Sequence, residues 1–268
     1  MNQIFNIHRF ALVIKLDLVE RGKNYLLIAA ILVILLLAMM LPIATTDKPV
    51  GFYEALHYMA MFMVMFFAAS FYTGSAMTHY AAFPTSISSL MLPASKLEKF
   101  LSALLLNLVF IVLFLIFYMQ LHYRTIDIAN AKFPADGYKY PHIDPGLAVY
   151  FVFTYFMMHS IFFAGSIYFA KRSYVKTAAF VVIAVFIVFT IHIILSGYLT
   201  HHPSRINTLP LAGWEIWYFD ERNFLVRGIN EFHIKHTPNM ARAVQGFTAL
   251  FIISFWYIAY LRLKEKEV

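Results

Sequence analysis

Long runs of apolar residues alternate along the chain with shorter polar segments. Crossing about 30 Å of hydrocarbon takes roughly 20 mostly apolar residues in a helix, which satisfies its own backbone hydrogen bonds in lipid. None of the runs alternates with the period of two that barrel strands need. The pattern therefore predicts six membrane-spanning helices, over about 25–43, 55–78, 101–121, 147–170, 177–199 and 244–261.

The composition agrees with an all-α integral membrane protein that forms a single transmembrane domain over residues 1–268. Hydrophobic residues make up 61% of the chain and charged residues 13%, whereas soluble domains have roughly 25% charged residues. The longest gap between apolar runs, about residues 200–243, is too short for an ordinary catalytic domain. There is no cysteine, which excludes disulfides, thiol nucleophiles and thiolate metal sites.

The charge distribution predicts the orientation. With both termini inside, the inner segments 1–24, 75–100, 171–176 and 262–268 carry 12 Lys and Arg against 5 Asp and Glu. The outer segments carry 9 of each. This is the positive-inside pattern, and it predicts a multi-pass protein of the bacterial inner membrane with both termini cytoplasmic. It also accounts for the net charge of +7 without a nucleic-acid partner.

An amphipathic helix is predicted before the first span, within residues 1–24. Apolar residues recur there at steps of three and four and form one stripe, made of Ile4, Ile7, Ala11, Ile14 and Leu18. Such a helix lies in the cytoplasmic interface of the membrane. A short helix packed on other protein fits the same periodicity.

The segment before the third span carries a helix-start signal. Ser95 is followed three residues later by Glu98, which is the spacing of a capping box. A helix is therefore predicted to begin there and to continue into the third span.

An apolar patch precedes this helix in an otherwise polar loop. It consists of Leu90, Met91 and Leu92 and ends at Pro93, which disfavours a helical Leu92. With Lys96 and Lys99 beside it, the patch is interpreted as a docking surface. A hairpin whose apolar residues insert at the edge of the bilayer is the alternative.

Two outer segments are richer in aromatic residues than simple connections. Trp214, Trp217 and Tyr218 lie in a stretch too short to cross the membrane, which predicts a re-entrant or interfacial segment between spans five and six. The loop 122–146 combines aromatic residues with prolines. This composition fits an ordered external cap, and a flexible loop is the alternative.

The spans contain no charged residue near their centres, which disfavours ion-driven transport. They do contain hydroxyl groups that are candidates for lining a path for an amphipathic substrate, such as Ser70, Thr73 and Thr190. The chain has no Gly-x-x-x-x-Gly-Lys-Ser/Thr nucleotide-binding motif. Transport against a gradient would therefore need a partner ATPase docked on the cytoplasmic face.

This layout resembles the permease subunit of type-2 ATP-binding-cassette (ABC) exporters in bacteria. The segment Leu92-Pro-Ala-Ser-Lys-Leu-Glu-Lys-Phe-Leu101 is similar to one found at the same place in a branch of that family. The resemblance implies two copies of a separate ATPase, which hold ATP and Mg, and a second permease chain in a homodimer. This chain itself would have no cofactor and would not be an enzyme.

The resemblance also implies roles for particular residues. The ATPase-coupling role falls on Leu90–Lys99, and the transport pathway on spans two and five, through Phe66, Ser70, Thr73, Thr190 and Ile194. The long outer loop Tyr123–Gly146 departs from the short connection that is usual in the family.

Two other classes remain open at this point. A membrane-bound haem or metal protein would use intramembrane histidines, with His159 and His192 as the pair nearest to matching depth. His233 and His236, and the adjacent His201 and His202, are weaker candidates because no third ligand is evident. A non-transporting membrane anchor or assembly subunit would share the docking loop and need no path.

Overall fold

The computed structural model describes residues 5–63, 69–81, 91–134, 137–169, 171–200, 216–219, 231–234 and 238–266. Its helices are α1 Ile7–Thr45, α2 Gly51–Phe62, α3 Ala69–Ser75, α4 Thr78–Ala81, α5 Lys96–Lys132, α6 Pro145–Tyr168, α7 Ser173–Thr200 and α8 Pro238–Lys266. Two short strands, β1 Ile216–Phe219 and β2 Glu231–Ile234, lie between α7 and α8.

Five helices within the described ranges are long and apolar enough to cross a membrane, namely α1, α5, α6, α7 and α8. The chain is therefore a multi-pass membrane protein. The predicted second span corresponds to the short helices α2, α3 and α4, and its residues 64–68 lie outside the described residues. The second span, and with it the total of six, thus stays a prediction.

The predicted interfacial helix and the first span form one continuous helix. With 39 residues and a rise of 1.5 Å per residue, α1 is about 58 Å long, nearly twice the thickness of the hydrocarbon layer. It begins after Asn6, whose side chain accepts hydrogen bonds from the amides of His8 and Arg9. The expected boundary near residue 24 does not interrupt it.

We call the end of the bundle that carries Arg9, Lys96, Arg172 and Lys264 the basic end, and the opposite end the far end. At the far end, α5 continues to Lys132, well past the predicted span. The following chain folds back on it: Tyr140 is buried, and its backbone exchanges two hydrogen bonds with the side chain of Asn130. The described part of the loop 122–146 thus packs against the end of α5.

Two buried histidines tie four segments together at the far end. The amide of Ile143 donates to His122 Nε2 at 3.0 Å, so His122 carries its proton on Nδ1. That Nδ1 lies 3.0 Å from Nδ1 of His57, which accepts. His57 in turn donates through Nε2 to the carbonyl of Met40 at 3.2 Å. Each ring thus donates one hydrogen bond and accepts one.

Helix α7 lies at the periphery and contacts α3 and α6. It approaches α6 closely at Gly165, where a Cβ atom would lie 2.8 Å from Cγ2 of Thr177. It approaches α3 at Gly74, whose missing Cβ would meet the ring of Tyr174 at 3.2 Å. Small residues therefore allow both contacts, as is common between membrane helices.

The predicted re-entrant segment is not confirmed. Trp217 and Tyr218 lie on β1, which pairs antiparallel with β2 in the register Ile216 to Ile234. Trp214 lies outside the described residues. A two-stranded sheet has open edges that lipid cannot satisfy, so this pair belongs outside the hydrocarbon layer.

Candidate functional site at the basic end

The Glu98 carboxylate joins the start of α5 to the start of α1. Its Oε2 accepts from the amide of Ser95 at 2.7 Å, and the Ser95 hydroxyl accepts from the amide of Glu98, which completes the predicted capping box. Its Oε1 accepts from the amide of Asn6 at 2.6 Å and from Arg9 Nη2 at 3.1 Å. One fully buried carboxylate therefore caps one helix and anchors another.

These contacts keep Glu98 ionised. Burial by itself raises the pKa of Glu98, but hydrogen bonds from the amides of Ser95 and Asn6, together with the Arg9 guanidinium, outweigh it and hold the pKa below its usual range. Glu98 lies outside the apolar part of the predicted third span, because that apolar run begins at Leu101. The two amides contribute most, since Arg9 is partly exposed and its ion pair is screened by solvent.

The short helices α3 and α4 are held at the basic end through their carbonyl groups. The carbonyl of Gly74 accepts from the hydroxyl of Ser173 at 3.0 Å. The carbonyl of Ala76 accepts from Arg21 Nη1, and that of Ala81 accepts from Lys266 Nζ, both at 3.3 Å. Side chains of α7, α1 and α8 therefore satisfy carbonyls that the ends of these helices leave open.

The predicted docking patch is partly visible beside this junction. Met91 exposes 79% of its surface, and Leu92 is half-buried. Pro93 is exposed, and Leu90 lies outside the described residues. Of the flanking lysines, Lys96 donates to the carbonyl of Lys264 at 3.4 Å, whereas Lys99 is buried. The exposed Met91 thus lies four residues before Ser95, the N-cap residue of α5.

A cavity of about 580 Å³ opens beside the junction, between α1, α3 and α5. Asp17 and Arg21 form an ion pair at 3.3 Å in its wall, and the Tyr25 hydroxyl donates to Asp17 at 2.8 Å. Tyr72 and Asn107 line it as well. The volume is within the range of small-molecule sites, roughly 300–1,000 Å³.

A chain of buried polar groups continues from Asn107 into the bundle. Asn107 Oδ1 accepts from the Thr73 hydroxyl at 2.9 Å and lies 2.7 Å from His159 Nε2. The Trp256 indole donates to His159 Nδ1 at 3.3 Å, so the His159 proton is on Nε2 and points to Asn107. Side chains of α3, α5, α6 and α8 therefore meet at this point.

The predicted pathway residues do not share one wall within the single chain. Ser70 and Thr73 are buried, and Thr73 bonds to α5 rather than facing α7. Thr190 donates to the carbonyl of Phe186 in its own helix, and Ile194 exposes 67% of its surface. Phe66 lies outside the described residues. A path formed by these residues across two chains stays a prediction.

The histidine alternative meets a physical obstacle. Both ring nitrogens of His159 are engaged in hydrogen bonds, so binding a metal there would break the link to Asn107 or to Trp256. His192 lies on α7, a helix that contacts α6 and α3. Over the described ranges, no group of three or more His, Asp or Glu residues is arranged to hold a metal ion.

Several residues of this site were not anticipated from the sequence. At the start of the N-terminal helix, the amide of Asn6 and the side chain of Arg9 contact the Glu98 carboxylate. Asn107 is central to the buried polar chain. The sequence signal that could have identified it is its position as an amide residue inside an otherwise apolar run. The pairing of Asp17 with Tyr25 carries no such signal.

Comparison with known proteins adds no relative. No family model matches the chain, and no curated protein or solved structure matches it either.

Proposed function

We propose that this protein is the permease subunit of an ATP-driven exporter and that it moves an amphipathic substrate across the bacterial inner membrane. In this proposal the basic end is cytoplasmic, both termini lie there, and a soluble ABC-type ATPase docks on the exposed Met91 region. Two ATPase copies and two permease chains form the complex. The partner supplies ATP and Mg, and this chain supplies the path.

The observation that supports this proposal is the shared carboxylate of Glu98. It ties the segment after Met91 to α1 and α5 at once, through the amides of Asn6 and Ser95. A movement of the docking segment would therefore be transmitted directly to two membrane-spanning helices, because within the described residues no flexible loop lies between them to absorb it. Such rigid transmission is what switching between two discrete helix packings requires.

The link continues to α3 and α4 through side chains at the same end. Arg21 of α1 holds the carbonyl of Ala76, and Lys266 of α8 holds that of Ala81. A shift of α1 would therefore move α3 relative to α5, on either side of the contact between Thr73 and Asn107. In the proposed cycle, the contact between Thr73 and Asn107 differs between the two states.

The first test is affinity purification of the tagged full chain from its native membrane in a mild detergent. The proposal expects a soluble ATPase in a one-to-one ratio with the permease and ATP hydrolysis by the purified complex. A complex without any ATPase would refute the transporter assignment and favour a membrane anchor.

The docking surface is tested with Met91, because its side chain is exposed and makes little internal packing. Met91→Glu places a charge at the centre of the patch, and Met91→Leu is the matched control that keeps it apolar. We expect the glutamate variant to lose the ATPase during purification and the leucine variant to retain it. Equal retention by both would contradict the location of the docking surface.

A further inference from the structure

The cavity between α1, α3 and α5 contains polar groups that the protein itself does not satisfy. The hydroxyl of Tyr72 and the amide nitrogen of Asn107 line it, and within the described part of the chain neither has a hydrogen-bond partner. Both residues expose only 2% of their surface. Polar groups this deeply placed normally have a hydrogen-bond partner, so both groups are available to a ligand atom in the cavity.

The mouth of the cavity presents opposite charges side by side. Asp17 and Arg21 are one helical turn apart on α1, with their charged atoms 3.3 Å from each other, and each side chain keeps about a fifth of its surface exposed, at 18% and 21%. An anionic group alone would be repelled by Asp17, and a cationic group alone by Arg21. A group that carries both charges, with its anion near Arg21 and its cation near Asp17, is favoured.

The cavity extends from polar surroundings into apolar ones. Asn107 follows Glu98 by nine residues on α5, which is about 14 Å along a helix, and so lies well inside the predicted third span. Leu27, Ile28 and Leu106 supply apolar walls at this depth. The site is therefore charged at headgroup level and apolar farther in, as an amphipathic molecule is.

We propose that this cavity is a binding site for a zwitterionic phospholipid. The phosphate lies near Arg21, the ammonium group near Asp17, and the ester region reaches the hydroxyl of Tyr72 and the amide of Asn107. The parts of the acyl chains nearest the headgroup contact the apolar wall. The inference depends on the cavity alone and is independent of the proposed ATPase partner.

The test is native mass spectrometry of the purified full chain in detergent, titrated with short-chain phosphatidylethanolamine. We expect saturable binding of one lipid per chain. Tyr72→Phe removes a hydroxyl that has no internal partner, so it leaves the fold intact and weakens binding about 5-fold, as for one neutral hydrogen bond. Tyr257→Phe is the matched control, because Tyr257 is exposed on α8 outside the cavity.

A second variant fills the space. Ser75 lines the cavity and is exposed, so Ser75→Phe introduces a ring without disturbing the core. We expect it to reduce binding at least 10-fold. If binding by Ser75→Phe and Tyr72→Phe equals that of the unmodified chain, the lipid binds elsewhere and the proposal is wrong.

Two further probes separate the parts of the ligand. Phosphatidylglycerol with the same acyl chains carries the phosphate without the ammonium group, and equal affinity for it would overturn the zwitterionic assignment. Phosphoethanolamine carries the headgroup without chains, and we expect no measurable binding because the apolar contacts are lost. Binding as tight as that of the lipid would overturn the amphipathic assignment.

Discussion

Replacing Glu98 by glutamine tests the junction on which the proposed coupling depends. Glutamine keeps the size of the side chain but turns one acceptor oxygen into an NH₂ group. Both carboxylate oxygens accept from backbone amides, Oε1 from Asn6 and Oε2 from Ser95. Whichever orientation the amide adopts, one of these buried N–H groups then faces another donor.

The cost follows from the bonds that are changed. Loss of one hydrogen bond to a charged acceptor costs about 1.5–3 kcal/mol, and weakening of the other to a neutral bond adds up to about 1 kcal/mol. The Arg9 pair adds little because 37% of that side chain is exposed. The expected loss is about 1.5–4 kcal/mol of local stability, which corresponds to about 10- to 900-fold faster opening.

Hydrogen–deuterium exchange measured by mass spectrometry reads this opening directly. Peptides covering residues 5–10 and 95–100 should exchange faster in Glu98→Gln, while peptides from the middle of α5 stay protected. Glu265→Gln is the matched control, since Glu265 is largely exposed at the same end of the bundle. If the two variants exchange alike at both peptides, Glu98 does not hold the junction.

Three further outcomes follow from the same structure. Because the pKa of Glu98 is held below its usual range, its contribution should be full above the unfolded pKa of about 4.3 and lost as pH falls below it. The protection of residues 5–10, which is their exchange relative to the intrinsic rate at each pH, should fall between pH 7 and pH 3, and Glu98→Gln should abolish this fall. Gly165→Ala should lower the melting temperature in detergent, at a cost of about 1–3 kcal/mol from overpacking against Thr177, and Gly246→Ala, which has open space at Cβ, should not. His122→Phe leaves the amide of Ile143 and Nδ1 of His57 without partners and should destabilise the far end by about 2–4 kcal/mol, measured by thermal unfolding; an unchanged melting temperature would contradict the assigned hydrogen-bond chain.

The apolar runs predicted the five long apolar helices, because hydrophobicity is a property of each segment by itself. The start of α5 was predicted for the same reason: Ser95 and Glu98 are three residues apart, and their reciprocal bonds are local. The continuity of α1 was not predicted, because the amphipathic stripe and the apolar run of the first span were interpreted as two segments on either side of residue 24. Gly22 lies in open space within the helix and does not break it.

The periodicity of the sequence did not predict contacts between distant segments. The N-terminal helix was expected in the membrane interface or packed on other protein, and periodicity did not show that Asn6 and Arg9 contact a carboxylate about ninety residues away. Asn107 looked like one polar residue in an apolar run, and its partners Thr73 and His159 lie on other helices. Such pairs depend on how the helices pack, which hydrophobicity patterns leave open.

The Glu98 carboxylate nevertheless shows how a local motif implies a distant partner. A capping box uses one oxygen for the amide of its own N-cap residue, here Oε2 for Ser95. On an exposed helix start, water satisfies the other oxygen. Once the start is buried, as Ser95 and Glu98 are here, the free oxygen must find a donor inside the protein. A capping box beside a buried helix start therefore predicts a second donor, and at this junction the amide of Asn6 supplies it.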